Sequence, residues 1–186
     1  MLLNAYLEYL HTEFQIQKLL QKQCQIQNPA LFKVSVQLLA AVMVLTRQKD
    51  RSAEFLFDFS WTTLFYGLPS AGVLTGALQW YTRTGQQLPD SASRPEVIRN
   101  LSVFASSLEW TVRPGDGNYN LCMRASKTLA RIIDEVLTPQ NVGADQSVLD
   151  LTGFDGLPLN SAELFNLFDG IDVDWDVNGG DCQWSI

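Results

Sequence analysis

The sequence has few residues of the kinds that hold metals or carry out nucleophilic chemistry. It contains one histidine, His11, and three widely separated cysteines, Cys24, Cys122 and Cys182, in 186 residues. This leaves too few ligands for a Cys/His zinc cluster and no spacing typical of a disulfide framework. We therefore expect no metal or other cofactor in this chain, and a reducing compartment.

Long apolar runs and a basic leader segment are also missing. The longest apolar run, Leu38 to Leu45, has eight residues, whereas a membrane span needs about 18. The N-terminus has no Lys or Arg before Lys18, so it lacks the charged region of a secretory signal. These absences predict an intracellular protein with no membrane segment.

Catalytic motifs are scarce as well. No Gly-x-Ser-x-Gly elbow occurs, and Gly115–Asn118 (GDGN) lacks the lysine and the following Ser or Thr of a phosphate-binding loop. His11 lies on an amphipathic segment, which favours a surface or core-edge role over a catalytic one. The sequence therefore predicts no enzyme and no catalytic residue.

One segment near the C-terminus partly matches the sequence pattern of a calcium-binding loop. Asp174, Asp176, Asn178 and Gly179 occupy the first, third, fifth and sixth positions of an EF-hand loop. The twelfth position would be Ser185 instead of the bidentate glutamate, and no residues remain for an exiting helix. We expect an acidic, solvated tail here and no metal site.

Charge divides the chain into two parts. Residues 1–142 hold all 13 Lys and Arg together with 11 Asp and Glu, whereas residues 143–186 hold nine Asp and Glu and no base. An acidic tail repels phosphate backbones, and the near-neutral body has no basic stripe. We expect no direct nucleic-acid contact by this chain.

The apolar spacing of residues 1–140 predicts an all-α body of about six packed helices. The expected segments are Leu3–Gln25, Pro29–Leu45, Ala53–Tyr66, Ser70–Gln86, Ser93–Arg113 and Tyr119–Leu137. Faces predicted to lie inward comprise Leu7, Leu10 and Phe14; Leu31, Val34, Leu38, Ala41 and Leu45; Val97, Leu101, Phe104 and Leu108; and Cys122, Ala125, Leu129, Ile132, Ile133 and Val136.

Local signals mark the ends of these helices. Asn28 followed by Pro29 predicts a capped start, and Ser93 with Glu96 has the spacing of a capping box. Gly67 and Pro69 are expected to end the helical segment that precedes them, and Pro139 is expected to end the last helix. The small residues between Ala71 and Ala77, among them Gly76, would permit close approach of helices.

Residues 141–186 combine aspartates with large apolar side chains and carry no positive charge, which predicts a disordered tail. Alternating acidic and apolar residues are typical of amphipathic activation segments. A short helix capped near Asn160 would present one apolar side to a partner's groove. The predicted partner-binding residues are Leu164, Phe165, Leu167, Phe168 and Trp175. The alternative is that this segment docks on the body.

Three segments resemble parts of the regulatory region in fungal zinc binuclear-cluster transcription factors: the second and third resemble its C-terminal end, and the first is similar to the helix that precedes them. They are YLEYLHTEFQIQKLL (Tyr6–Leu20), DFSWTTLFYGLPSAGVLTGAL (Asp58–Leu78) and the run from Val97 to Leu137. The most specific parts are Tyr66–Leu74 and the Glu-Trp and Pro-Gly-Asp-Gly-Asn motifs between Glu109 and Asn118.

The resemblance implies a helical regulatory domain (residues 1–140) of a nuclear transcription regulator, followed by an activation tail. The expected partners are a transcription coactivator or the general transcription machinery, and a second copy or a separate DNA-binding subunit. The family reads DNA through six closely spaced cysteines that hold two zinc ions, and this sequence has no such cluster. We therefore expect either the C-terminal part of a longer protein or a regulator that does not itself bind DNA.

Other functions remain open at this point. The body could be a non-catalytic scaffold or dimerisation module with an inert, solubilising tail, or a helical domain that binds a small molecule. An enzyme is the least favoured class.

Overall fold

The computed structural model describes residues 2–24, 28–47, 61–115 and 117–138. All regular elements in these ranges are helical: α1 (Leu2–Cys24), α2 (Pro29–Arg47), a π-helical turn (Thr63–Gly67), α3 (Leu68–Thr84), α4 (Arg94–Thr111) and α5 (Tyr119–Leu137). The predicted all-α fold is confirmed for the described part, which holds five α-helices. Most of the predicted segment Ala53–Tyr66 and the whole tail, 141–186, lie outside the described residues.

The predicted start of α2 is confirmed in atomic detail. The backbone N–H groups of Ala30 and Leu31 donate to Asn28 Oδ1 at 3.0 and 3.4 Å, as an N-cap side chain should. The amide of Asn28 also donates to Gln17 Oε1 at 2.9 Å. Because Gln17 lies two turns before the end of α1, α2 begins beside α1 and runs back along it.

The start of α4 was predicted correctly, but its capping interaction was not. Ser93 has the extended backbone of an N-cap residue, and its side chain makes no capping hydrogen bond. The proline at position 95, in the first turn, accounts for the start, because its fixed φ suits a helix and its missing N–H needs no partner there. At the same end, Arg94 Nη2 donates to the carbonyl oxygen of Val136 at 2.8 Å.

The predicted interruption at Gly67 and Pro69 does not occur. The π-helical turn Thr63–Gly67 continues directly into α3, and Leu68 keeps a right-handed helical backbone. Proline cannot donate to the carbonyl four residues before it, and its ring crowds that carbonyl. The wider π-helical turn accommodates both effects without breaking the helix.

The predicted inward faces are the buried core. Of the 18 side chains predicted to lie inward, 17 are buried, and Leu45, near the end of α2, is half-buried. Polar residues between the inward positions were expected to face solvent, but Lys18 is buried, and Glu13 and Arg124 are half-buried. Lys18 lies one turn after Phe14 on the inward face, and a long aliphatic stem packs well on apolar surface.

The helices pack as a bundle with α1 at its edge. α2 contacts α1 on one side and α3, the π-helical turn and α4 on the other, while α5 packs on α4 and α3. Ser126 of α5 donates to Glu109 Oε1 at 3.0 Å. Together with the Arg94–Val136 contact at the opposite end, this bond shows that α4 and α5 are antiparallel. The C-terminal ends of α3 and α5 meet where Arg83 pairs with Glu135 at 3.1 Å.

Candidate functional site

The five predicted partner-binding residues lie outside the described residues. These are Leu164, Phe165, Leu167, Phe168 and Trp175. Their proposed role therefore stays a prediction, and the sites described below belong to the helical body.

The first two segments that carry the family resemblance meet in the structure. The Tyr66 hydroxyl donates a 2.8 Å hydrogen bond to Glu8 Oε1, across 58 positions of sequence. Tyr66 is buried in the π-helical turn, and Glu8 lies on the exposed side of α1. The bond thus ties the edge helix to the middle of the bundle.

Aromatic rings surround His11 beside this bond. Its imidazole lies 4.6 Å from the Phe65 ring and 5.1 Å from the Tyr66 ring, measured between centroids, with Phe14 at 6.4 Å. The side-chain amide of Gln15 lies 3.0 Å from His11 Nε2. Trp61 stacks on Phe65 at 4.4 Å. We call His11, Phe14, Trp61, Phe65 and Tyr66 the aromatic cluster.

The cluster changes the acidity of both titratable groups in it. Burial lowers the pKa of His11, and this outweighs the opposing effect of the Glu8 carboxylate; the Lys18 charge lowers it further. Burial raises the pKa of Tyr66, and the hydrogen bond to Glu8 and its negative charge add to that increase. Both groups are therefore neutral at pH 7.

The second and third resembling segments meet at Gly67. A Cβ atom placed on this glycine would lie 2.6 and 2.7 Å from ring atoms of Phe104 and 3.4 Å from Val42 Cγ1. The glycine therefore lets α3 begin in contact with α2 and α4 together. The predicted small-residue contact is wrong at Gly76, where nothing lies within 4 Å of such a Cβ.

The motif Tyr66–Leu74 is a core motif. Eight of its nine residues are buried, and Val73 is half-buried. Its Ser70 hydroxyl donates to the carbonyl oxygen of Tyr66 at 2.6 Å, which satisfies a buried polar group within the helix. The feature of the sequence that most resembles the family thus specifies packing and offers no open surface.

The motif between Glu109 and Asn118 forms the corner between α4 and α5. Glu109 accepts the hydrogen bond from Ser126, and Gly115 has a φ of 104°, a backbone conformation that favours glycine. This motif therefore fixes the turn that brings α5 back along α4.

The two titratable groups of the aromatic cluster have partners within the body. His11 is flanked by aromatic rings and the Gln15 amide, and the Tyr66 hydroxyl is bound to Glu8. In the described ranges, no three His, Cys, Asp or Glu side chains lie close enough to hold a metal ion.

None of the described helices combines the length and apolar character that crossing a membrane requires.

One apolar surface of the body has no cover from the described residues. Tyr6, Tyr9, Ile16, Leu19 and Leu20 are exposed on α1, with exposed fractions from 44% for Tyr6 and Leu20 to 63% for Tyr9. We call these five residues the outer face of α1. Tyr6 and Tyr9 form one group and Ile16, Leu19 and Leu20 a second, both on the side of the helix away from Phe14, and Thr12 and Glu13 lie between the two groups.

Sequence reasoning missed both the Glu8–Tyr66 bond and the outer face of α1. No local pattern pairs two residues 58 positions apart. The sequence of α1 contains this second set of apolar residues, but the prediction of an amphipathic helix considered only the inward set.

The chain was compared with protein families, curated proteins and solved structures. None of the three comparisons found a match.

Proposed function

We propose that this chain is the C-terminal regulatory and transactivation portion of a fungal zinc-cluster type transcription factor. Residues 1–140 form the regulatory domain, and residues 141–186 are the activation tail. The chain acts in the nucleus through protein–protein contacts with a coactivator or the general transcription machinery. It carries out no catalysis and leaves DNA binding to another region or subunit.

The observation that carries the proposal is the way the three resembling segments interlock. Glu8 of the first binds Tyr66 of the second, and Gly67 of the second packs against Phe104 of the third. Residues that build one core must be compatible with one another, so three such segments in contact favour a shared fold over separate coincidences.

The division of charge supports the role of the tail. All nine acids after residue 142 lie among large apolar side chains with no base. Negative charge keeps such a segment solvated and steers it toward a basic partner, and its apolar residues supply the contact. Leu164, Phe165, Leu167, Phe168 and Trp175 are the residues proposed to make it.

A reporter assay tests this role with the whole chain fused to an unrelated DNA-binding domain. We expect the fusion to activate transcription. Phe165→Ala combined with Phe168→Ala should abolish most of that output, because both rings are among the side chains proposed to bind the partner. Far-UV circular dichroism should show unchanged helicity.

The matched control is Phe154→Ala combined with Leu157→Ala, which also removes two large apolar side chains from the tail. This variant should keep most of the output. Equal expression is checked by immunoblotting. Unchanged output from the Phe165 and Phe168 variant, at equal protein level, would refute the proposed contact.

A second candidate function is a non-catalytic scaffold or dimerisation module. The outer face of α1 favours it, because large exposed side chains at helical spacing are typical of a surface that binds another helix. If the body is such a module, neither of the two tail variants described above would change what the body does.

A further inference from the structure

The positive charges of α5 lie on one face of the helix. Arg124, Lys127 and Arg131 follow one another at three- and four-residue spacing, which places them in a row along the same side. That side points away from the core, because Lys127 and Arg131 are exposed and Arg124 is half-buried. We call these three residues the basic face of α5.

The acids of α5 follow the basic face in sequence. The helix has no Asp or Glu between Tyr119 and Arg131, and Asp134 and Glu135 lie in its last turn. Glu135 is already shared by two arginines, at 3.1 Å from Arg83 and 3.8 Å from Arg131. The body as a whole is near neutral, but this part of its surface carries an excess of positive charge.

The helices described next to α5 leave its basic face exposed. α5 packs mainly on α4 and α3. Glu109 of α4 also contacts α5, but it binds Ser126, which is buried on the side toward α4. Among the side chains that the structure describes, α5 carries more Lys and Arg than any other helix. It is therefore the helix best suited to bind a negatively charged segment.

We propose that the acidic tail binds the basic face of α5 in its own chain, through its first three acids, Asp145, Asp150 and Asp155. The proposal concerns the charges of the body and the tail, and it does not depend on the transcriptional role proposed above.

Charge complementarity selects the tail as the occupant. Residues 143–186 hold nine Asp and Glu and no base, so they lack internal cations that could neutralise them. The opposite edge of the bundle is unsuitable, because α1 carries Glu8 and Glu13 and its described lysine, Lys18, is buried. Like charges would repel the tail there, whereas the basic face of α5 attracts it.

The tail reaches the basic face without strain. Asp145 follows Thr138 by seven residues, which can span up to about 24 Å. Arg131 lies about 9 Å and Arg124 about 20 Å back along the helix from Leu137. The residues between Thr138 and Asp145 carry no charge, so they pass the acidic last turn of α5 without repulsion. The first acids of the tail therefore arrive beside the cations.

Attachment to the same chain strengthens a contact that would be weak between separate molecules. Exposed ion pairs contribute little individually. A short connection gives the tail an effective concentration in the millimolar range, which favours binding within one chain. We therefore expect a reversible contact that weakens as salt screens the charges.

Carbodiimide cross-linking of the full chain tests the proposal, because this reagent joins a lysine amine only to a carboxylate that touches it. Lys127 supplies the amine on the basic face. In about 20 mM salt, we expect mass spectrometry to find Lys127 joined to the first acids of the tail. The yield should fall at least about threefold in about 0.5 M salt. An equal mixture of nitrogen-15-labelled and unlabelled chains distinguishes links within one chain from links between two.

A variant of the basic face tests whether its charges hold the tail. Arg124→Gln combined with Arg131→Gln keeps Lys127 and every tail acid, so the cross-link can still form. Its yield should fall at least about threefold, because two of the three cations are gone. The matched control is Lys33→Gln combined with Arg99→Gln, which removes two exposed cations from α2 and α4. This control should keep the yield.

Several outcomes would overturn the proposal. They are the absence of any link from Lys127 to the tail, links that form only between chains, a yield that the basic-face variant leaves unchanged, and an equal loss in the control. Circular dichroism checks that each variant keeps its helicity. Should the double variant lose it, Arg131→Gln alone, at an exposed side chain, replaces it and should lower the yield by about twofold.

Discussion

Tyr66 and Glu8 are joined by a 2.8 Å hydrogen bond that connects the edge helix α1 to the π-helical turn within the bundle. The acceptor is a carboxylate, so the bond is stronger than one between neutral groups. The donor is a buried residue and the acceptor an exposed one, so the bond is partly shielded from water.

Tyr66→Phe removes this bond and keeps the ring. We expect the free energy of unfolding to fall by about 1–2 kcal/mol. This value is somewhat lower than is usual for a hydrogen bond to a charged group, because Glu8 is exposed to solvent. Urea denaturation measures it. The control is Tyr81→Phe at a half-buried tyrosine of α3, whose hydroxyl has no hydrogen bond to a described residue. Equal losses in the two variants would contradict a specific role for the bond.

Tyr66 also makes the stability of the protein depend on pH in the alkaline range. The pKa of Tyr66 is raised above its ordinary value of 10.0, chiefly by burial. Above pH 10 the unfolded chain therefore loses this proton while the folded chain keeps it, so stability is full below pH 10 and falls as pH rises beyond it. Denaturant midpoints at several alkaline pH values should decline less steeply for Tyr66→Phe than for the unaltered protein.

Two glycines of the same helical segment should respond in opposite directions to alanine. Gly67→Ala places a methyl group within 2.7 Å of the Phe104 ring, which is fully buried and has no room to move. We expect a loss of about 1–3 kcal/mol from overpacking. Gly76→Ala meets nothing within 4 Å and should gain about 0.5–1 kcal/mol from reduced chain entropy. Thermal melts of both variants measure the contrast, and destabilisation by Gly76→Ala would contradict it.

His11 should make stability depend on pH in the mildly acidic range. Burial lowers the pKa of His11 in the folded state below its ordinary value of 6.5. As pH falls through 6.5, the unfolded chain takes up a proton before the folded chain does, so stability is present above that value and lost below it. His11→Phe keeps a ring in the aromatic cluster and removes the titration. Between about pH 7.5 and 5.5 the unaltered protein should lose more stability than this variant; parallel curves would show that His11 does not contribute.

The two predicted caps should differ in their energetic contribution. Asn28→Ala removes two bonds to the start of α2 and the two bonds from its side-chain amide to Gln17, so we expect a loss of about 1–2 kcal/mol. Ser93→Ala removes no capping bond and should cost less than about 0.5 kcal/mol. Chemical denaturation of the two variants measures both losses of stability. A large loss from Ser93→Ala would mean that its hydroxyl caps α4 in solution.

Features set within one or two turns of chain were predictable from the sequence. The start at Asn28, the stop before Pro139 and the inward face of α5 each depend on neighbours in sequence. Thr138 illustrates this, because it adopts the extended backbone expected of a residue before proline. Helix type and burial could therefore be inferred from spacing.

Features that depend on distant residues were not predictable. Gly67 and Pro69 carry the local signal of a break, but contacts with Val42 and Phe104 hold this part of the chain helical through a π-helical turn. Lysine is usually a surface residue, but Lys18 lies on the inward face of α1 and is buried. The five proposed contact residues of the tail were inferred from composition, and they stay a prediction.

The edge position of α1 has a consequence for how the protein opens. Among the described helices α1 packs mainly on α2, with the Glu8–Tyr66 bond and the His11 ring contacts as its further attachments. The antiparallel pair α4 and α5 is held by the core on several sides. Backbone amides of α1 should therefore exchange with solvent deuterium through partial openings that leave the other helices intact.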